Sequence, residues 1–441
     1  MSPAIHLAAD TAHLSAADTG FILICSALVM LMTPGLAFFY GGMVRVGSTL
    51  NMLMMSFVSL GVVTVLWVLY GFSLAFGGDH GGLFGWDGDY LGLGGIGVDQ
   101  IWDGTTIPVF AFAAFQLMFA VLTPALISGA LAGRVRFSAW VLFVALWASL
   151  VYFPVAHWVW GAGGWAHDLG VIDFAGGTAV HINAGAAALG VLLVIGRRTR
   201  RQQHPVRPHN LPLMMLGAGL LWFGWFGFNA GSWLGNNDGV GAVMFLNTQL
   251  ATAAAMLSWL GYERLRHGTC TTLGAASGAV AGLVAITPSG GCVSPLGALA
   301  IGTVTGPLCA LATGLKYRFG YDDSLDVVGV HLVGGTIGSL LVGLLATGGV
   351  QSADRGLFYG GGLDLLGRQT AGVLGVLAYS LAASAVLALL IDRTLGMRVP
   401  HHIETSGLDH AEHTESAYDF TGTDTTARPH VPAEPAPKVN A

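Results

Sequence analysis

Residues 173 to 198 read DFAGGTAVHINAGAAALGVLLVIGRR, and no charged residue lies between Asp173 and Arg197. The uncharged interior is about as long as the ~20 residues that an α-helix needs to cross a lipid bilayer. An acid precedes it and two arginines follow it. The stretch therefore predicts a membrane-spanning helix with one acidic and one basic end.

The composition of the whole chain agrees with this prediction. Of 441 residues, 54% are hydrophobic and 66 are glycine, while 10% are charged, against about a quarter in soluble domains. These numbers exclude a soluble globular protein. A net charge of -6 with 18 basic residues leaves no basic excess, so no nucleic-acid partner is expected. The four cysteines form no Cys-x-x-Cys pair, which predicts buried packing residues and no metal site.

Uncharged runs of similar length recur along the chain. The longest, 267 to 315, is interrupted by TPSGG at 287 to 291, a turn signal that divides it into two spans. The runs predict an all-α integral membrane protein with eleven transmembrane helices. The ten runs, of which 267 to 315 counts as two spans, are 19 to 44, 46 to 78, 104 to 133, 137 to 167, 174 to 196, 208 to 237, 239 to 262, 267 to 315, 327 to 353 and 369 to 391.

Basic residues predict the orientation, because Lys and Arg near helix ends are retained on the cytoplasmic side. With the N-terminus outside and the C-terminus inside, 16 of 18 basic residues fall inside, and Arg355 and Arg368 are the exceptions. This predicts a multi-pass protein of the cell membrane. Its parts are an extracytoplasmic segment at 1 to 18, an eleven-helix domain at 19 to 395, a cytosolic tail at 396 to 420 and a disordered extension at 421 to 441.

Two histidines lie deep inside the predicted spans, where Asp, Glu, Lys and Arg are absent. Asp173 precedes His181 by eight residues, and Asp323 precedes His331 by eight. The VHINAG around the first is similar to the VHLVGG around the second. The predicted topology makes the two segments antiparallel and places both imidazoles in the middle third of the bilayer. This symmetry predicts an inverted five-helix repeat, which is frequent in transporters.

A pair of buried neutral imidazoles supplies hydrogen-bond donors and acceptors without fixed charge. Facing rings can share a proton, which fits a small neutral solute or a proton that hops between coupled rings. A bare alkali cation would instead need carbonyls or carboxylates in place of its water. A satisfied structural role for each histidine is the alternative interpretation.

Aromatic and hydroxyl residues, rather than acids, are predicted around the outer mouth. They are Phe115, Phe119, Trp160, Trp225, Phe228 and Ser232. A cation that donates hydrogen bonds could be held by a hydroxyl oxygen and by aromatic faces, each worth ~1 to 2 kcal/mol when partly desolvated. Taken singly, each aromatic side chain also fits a position that faces lipid or the membrane interface.

Several stretches resemble the ammonium transporter family, the Amt proteins with their Mep and Rh relatives, and the Phe and Trp residues of the mouth are nearer to the Amt branch. The resemblance covers almost the whole chain beyond the first helix. The stretches are DFAGGTAVHINAGAAALGVLLVIGRR at 173 to 198, FQLMFA at 115 to 120, RVRFSAW at 134 to 140, AHWVWGAGG at 156 to 164, RPHNLP at 207 to 212, WFGFNAGS at 225 to 232, ATAAA at 251 to 255, SGAVAGLVAITP at 277 to 288 and DVVGVH at 326 to 331.

The resemblance implies a homotrimer in which every subunit has its own pore. Ammonium would be recruited at the outer vestibule and conducted as ammonia, with or without its proton, without a cofactor or catalytic residue. The matching residues are Trp160, Ser232 and Phe119 for recruitment, Phe119 and Phe228 for a stacked gate, His181, His331, Trp225 and Thr287 for the pore, and Asp173 for a structural acid near the vestibule.

The segment GLDHAEHTESAY at 407 to 418 resembles the regulatory cytosolic tail of the family. The resemblance implies contacts with neighbouring subunits and a PII-type signalling protein as a partner. The segment departs from the family pattern at Thr414, where glycine is usual, and nothing after Phe420 has a counterpart.

Two other functions are compatible with parts of the sequence. A membrane redox enzyme would need axial histidine pairs for haem, whereas two deep histidines are present without partner spacing along one helix. A sensor that binds ammonium and signals through its tail would use the same mouth as a transporter, so the sequence leaves that alternative open.

Overall fold

The computed structural model describes residues 13–198, 207–236, 238–348 and 352–418, and the predicted all-helical membrane fold is confirmed. In these residues ten helices are long and apolar enough to span a membrane, and a shorter one completes the set of eleven. In chain order, α1 to α11 are Ala16–Met43, Val46–Phe76, Val109–Leu131, Phe137–Leu169, Gly177–Ile195, Leu211–Gly231, Val240–His267, Thr272–Ile286, Pro295–Phe319, Val328–Leu345 and Asp364–Thr394.

The ends of the helices differ from the ends of the uncharged runs where a helix includes charged or polar residues. Helix α1 begins at Ala16, before the predicted boundary, because Ser15 caps it and Asp18 lies in its first turn, where an acid is favourable. The turn predicted at 287 to 291 is present between α8 and α9. An antiparallel hairpin, β1 Gly78–His80 and β2 Phe84–Trp86, follows α2. The predicted extension at 421 to 441 and residues 1 to 12 lie outside the described residues.

Glycine allows the helices to approach closely. A Cβ atom on Gly227 would lie 2.7 Å from the Cβ of Leu28, and one on Gly282 would lie 2.7 Å from the carbonyl oxygen of Ala251. In lipid the hydrophobic effect does not drive helices together. Small residues at such crossings favour association because they let the backbones pack closely. Three cysteines are buried as predicted, whereas Cys270 is exposed in the turn between α7 and α8, so that prediction was wrong there.

The helices that carry the two histidines, α5 and α10, begin in the same way. Each opens with a π-helical turn and is preceded by an acid that accepts backbone N–H groups at the start of the helix. The acids are Asp173 and Asp323, and the third residue after each has a positive φ, 117° at Gly176 and 63° at Asp326. Glycine adopts that conformation without a Cβ clash.

Helices α5 and α10 cross in opposite directions. A Cβ on Gly185 would lie 2.5 Å from the nitrogen of Leu332, and a Cβ on Gly335 would lie 2.9 Å from the oxygen of Gly177. Residue numbers therefore rise along one helix as they fall along the other, as the inverted repeat predicts. We keep the names outer and inner from the charge-based orientation, which stays a prediction.

A buried arginine joins the inner loops. The guanidinium of Arg134 donates to Asp322 at 3.0 Å and to the carbonyl oxygens of Ala130 and Gly196 at 2.6 and 3.1 Å. Burial lowers the pKa of Arg134 to about 10. Burial also opposes ionisation of Asp322, but hydrogen bonds from Arg198 and the charge of Arg134 hold its pKa below the usual range. This cluster ties the ends of α3, α5 and α9 together.

The tail folds back on the inner face and caps two membrane helices. Asp409 accepts the backbone N–H of Asn51 at 2.9 Å, near the start of α2. Glu412 accepts the backbone N–H of Phe137 at 2.9 Å, at the start of α4. Acidic side chains are favourable at helix N-termini, whose first N–H groups lack partners within the helix.

Two further contacts hold the tail at either end. A short helix, α12 His401–Ser406, carries Glu404, which pairs with Arg398 at 2.7 Å. At the far end the hydroxyl of Tyr418 lies 3.1 Å from Nε2 of His209, beside the N-cap of α6. The tail is thus joined to the segment after α11 and to the segment before α6.

Candidate functional site

A cavity of about 1090 Å³ opens at the outer face. The predicted residues Phe119, Trp160, Asp173 and Ser232 line it. Gln116, one turn before Phe119 on α3, also lines it and was not predicted. The three-residue spacing along a helix could have identified Gln116 as a neighbour on the same face.

Trp160 and Asp173 form one side of this cavity. The indole N–H of Trp160 donates to the backbone oxygen of Asp173 at 2.9 Å. The carboxylate of Asp173 accepts the backbone N–H groups of residues 176 to 179 at 2.6 to 3.1 Å. This acid is therefore the cap of the π-helical turn that carries His181, and it holds the indole through its main chain.

The two rings of the predicted gate are in contact. The rings of Phe119 and Phe228 have centroids 4.2 Å apart at an interplanar angle of 34°, and both side chains are buried. Phe119 also meets Trp160 edge-on at 6.0 Å, and Phe115 lies 4.9 Å away. The hydroxyl of Ser232 donates to the carbonyl oxygen of Phe228 at 2.8 Å, so its oxygen remains an acceptor beside the cavity.

The two predicted histidines are in direct contact below the gate. Their Nδ1 atoms are 3.3 Å apart, the ring centroids are 5.3 Å apart, and both residues are buried. One Nδ1 must donate and the other accept, so the pair shares one proton along this line. Nε2 of His181 has no hydrogen-bond partner among the described residues. His181 lies 6.0 Å from Phe228, measured between ring centroids.

Trp225 and Thr287 support the histidine pair from the side. The ring of Trp225 stacks on His181 at 5.2 Å and 21°. Its indole N–H donates to the hydroxyl of Thr287 at 2.9 Å, and that hydroxyl donates to the carbonyl oxygen of Leu283 at 2.8 Å. Thr287 therefore orients Trp225 from the turn that ends α8.

His157, another histidine within the predicted spans, lies apart from His181 and His331. Its two ring nitrogens contact the carbonyl oxygen of Ala75 at 3.1 Å and the carboxylate of Asp79 at 2.9 Å. The contact with His157 lowers the pKa of Asp79. This histidine fastens α4 to the outer hairpin, so the structural interpretation holds for it. Among the described residues no His, Cys, Asp and Glu side chains are grouped as in a metal site.

A family model described as Ammonium Transporter Family matches residues 20–418. The chain belongs to the ammonium transporter family. It is accordingly a multi-pass protein of the cell membrane that transports ammonium, and its family is one of transporters rather than enzymes.

Individual relatives agree with this family. An ammonium transporter of Mycobacterium tuberculosis (strain ATCC 25618 / H37Rv) is 57% identical over 91% of this chain and 90% of its own length. The ammonium transporter of Bacillus subtilis (strain 168) is 46% identical over 91% and 98%. The crystal structure of Saccharomyces cerevisiae Mep2 has a TM-score of 0.80 at 34% identity, covering 88% of each chain. A structure named Sensor Amt Protein has a TM-score of 0.84 at 29% identity, covering 90% and 98%.

Proposed function

We propose that this transporter recruits ammonium at its outer mouth, removes a proton, and conducts ammonia past His181 and His331, with or without the proton following. The observation that carries the proposal is the contact between the two imidazoles, 3.3 Å between Nδ1 atoms, directly below a closed aromatic gate.

Recruitment is assigned to Trp160, Phe119 and Ser232. Ammonium has four N–H donors, and the oxygen of Ser232 is an available acceptor beside the cavity. The faces of Trp160 and Phe119 add cation–π attraction, which strengthens as water is excluded. Asp173 contributes by fixing Trp160 and the start of α5 rather than through a free carboxylate.

Deprotonation follows from the cost of a charge inside the membrane. A bare monovalent ion in the bilayer core needs fixed charges or ordered carbonyls to replace its water. The gate and the histidine pair offer aromatic faces and neutral nitrogens instead. Ammonium can lose a proton to the line of imidazoles and cross as ammonia, whereas potassium has no proton to lose. Selectivity then depends on acidity more than on pore width.

The test is the current through proteoliposomes after a step in ammonium or potassium concentration. Replacing His181 and His331 together by leucine removes the proton route, so we expect the ammonium current to fall to the background of empty liposomes. His80→Ala, in the exposed outer hairpin, is the matched control and should keep the wild-type current. Equal and non-zero potassium and ammonium currents in wild type, or an undiminished ammonium current in the double variant, would contradict the mechanism. Ammonia uptake without current would mean that the proton does not follow.

Assembly and regulation are part of the proposal. We infer a homotrimer with one pore per subunit, as the family resemblance implies, and a PII-type protein that binds at the tail. The tail supports this assignment because it is docked on the predicted inner face, where it caps α2 and α4. Deletion from His401 onward should leave a folded transporter but abolish capture of PII in a pull-down. Retained capture would move the PII site elsewhere.

A sensor is the second candidate function. The structural similarity to the protein named Sensor Amt Protein favours considering it. Flux of ammonium into vesicles separates the two, because a sensor without transport would bind ammonium and leave the internal concentration unchanged.

A further inference from the structure

The turn that follows α6, residues 232 to 236, forms part of the outer cavity and contains a strained residue. Leu234 has a φ of +59°, a left-handed conformation that is uncommon for residues with a side chain. Both Ser232 and Leu234 line the cavity. Strain of this kind persists where the surroundings hold the backbone in place, and it is concentrated at functional sites.

A buried acid at the start of α1 holds this turn. Asp18 is 2% exposed, and one carboxylate oxygen accepts the backbone N–H of Asn236 at 2.9 Å. The other oxygen accepts the hydroxyl of Thr106 at 2.6 Å, from the loop before α3. A single carboxylate therefore joins α1, the loop before α3 and the turn after α6 at the edge of the outer cavity.

Local packing around Asp18 is close. A Cβ on Gly235 would lie 3.4 Å from its carboxylate, and the backbone N–H of Ser15 donates to the oxygen of Thr106 at 2.9 Å. A buried carboxylate is costly unless hydrogen bonds satisfy it. Packing alone would be served better by an apolar residue, so the hydrogen bond to the turn indicates a positional role.

We propose that Asp18 is a positioning residue for ammonium recruitment, because its carboxylate holds the 232 to 236 turn so that Ser232 stays at the cavity. This inference rests on the proposed recruitment site. Asp18 acts through the turn and has no contact with the substrate in this arrangement.

The first test is the ammonium dependence of the proteoliposome current. In Asp18→Ala the KM should rise roughly three- to tenfold, the effect of losing one hydrogen bond that positions a ligand group, with little change in the maximal current. Asp18→Asn keeps an acceptor for Asn236 and should restore a nearly wild-type KM. Asp103→Ala removes the same charge from an exposed site in the loop that carries Thr106 and should leave the KM unchanged.

The second test measures the stability of the turn directly and does not depend on transport. Hydrogen exchange at the amide of Asn236 should be faster in Asp18→Ala and unchanged in Asp103→Ala. Asp18→Glu keeps the charge but displaces it by about one C–C bond, so it provides a second variant if the alanine variant does not fold. It should also raise both the exchange rate and the KM.

The outcomes separate this inference from the proposed function. If Ser232→Ala keeps the wild-type KM, the recruitment site is wrong, whatever Asp18 does to the exchange rate. If Ser232→Ala raises the KM while Asp18→Ala and Asp18→Glu keep wild-type KM and exchange, the role of Asp18 is refuted. An equal rise of KM in Asp103→Ala, or fully additive effects of Asp18→Ala and Ser232→Ala, would also refute it, because both would show action outside the turn.

Discussion

In the proposed recruitment site, Trp160 and Ser232 would present different groups to a cation. Trp160 offers an aromatic face, and its orientation is set by the bond from its indole to the main chain of Asp173. Ser232 offers one hydroxyl oxygen, whose proton is directed to Phe228. Because these interactions are independent in origin, we expect their removal to weaken recruitment separately.

Trp160→Leu or Ser232→Ala should raise the ammonium concentration at half-maximal current roughly five- to thirtyfold, equivalent to the loss of ~1 to 2 kcal/mol of cation binding. The maximal current should change little, because the histidine pair is intact. The measurement is the concentration dependence of the proteoliposome current. Trp222→Leu, on α6 before Ser232 but bonded to Gln249, is the control and should behave as wild type. Loss of maximal current alone would assign these residues to conduction.

The sequence predicts residue roles where the same residue types recur at the same spacing in two segments of the chain. The equal distance from acid to histidine identified His181 and His331, and the structure brings them into contact. The bond from Trp225 to Thr287 joins residues 62 positions apart in different helices, so no local pattern specifies it. Asp18 was missed for the same reason, since its partner Asn236 is 218 positions away.

At the scale of elements, the tail is held by side chains that replace missing helix caps. Asp409 and Glu412 lie on one π-helical turn, Asp409–His413, and reach two different membrane helices. The turn ends at Thr414, whose φ is +59°. A β-branched residue is strained in this conformation, whereas glycine is not.

Thr414→Gly should therefore stabilise the docked tail by about 1 kcal/mol, the approximate cost of the left-handed conformation. Hydrogen exchange across residues 407 to 418 should slow roughly fivefold. Glu415→Gly places the same flexible residue at an exposed neighbour without a positive φ, and it should speed exchange. Faster exchange in Thr414→Gly would mean that chain entropy outweighs the relief of strain.

The spans were predictable as elements, but their ends and the connections between them were not. Uncharged runs measure how much chain can enter lipid, and they located all eleven helices. They exclude charged residues such as Asp18 that belong to a first turn, and they carry no information on the hairpin after α2. The tail docks because its acids accept backbone N–H groups at the starts of helices that are distant in sequence. Hydropathy gives no information on such contacts.

At the scale of the whole molecule, the proposed mechanism depends on residues from several helices. Helices α3 and α6 supply the two rings of the proposed gate, while α5 and α10 supply the histidine pair from opposite directions. Helices α5 and α10 meet because close glycine contacts bring their backbones together.

The distribution of charge predicts the orientation of the protein in the membrane. The accessibility of a native cysteine can test this prediction. Cys270 is exposed in the turn between α7 and α8, on the predicted inner side, while Cys25, Cys292 and Cys309 are buried. A membrane-impermeant maleimide should therefore leave the wild-type protein unlabelled in intact cells and label it in inside-out vesicles. Gly88→Cys, in the exposed loop after β2 with open space around it, should add a site that reacts in intact cells. Labelling of Cys270 from outside would reverse the orientation and place the proposed recruitment cavity on the cytosolic side.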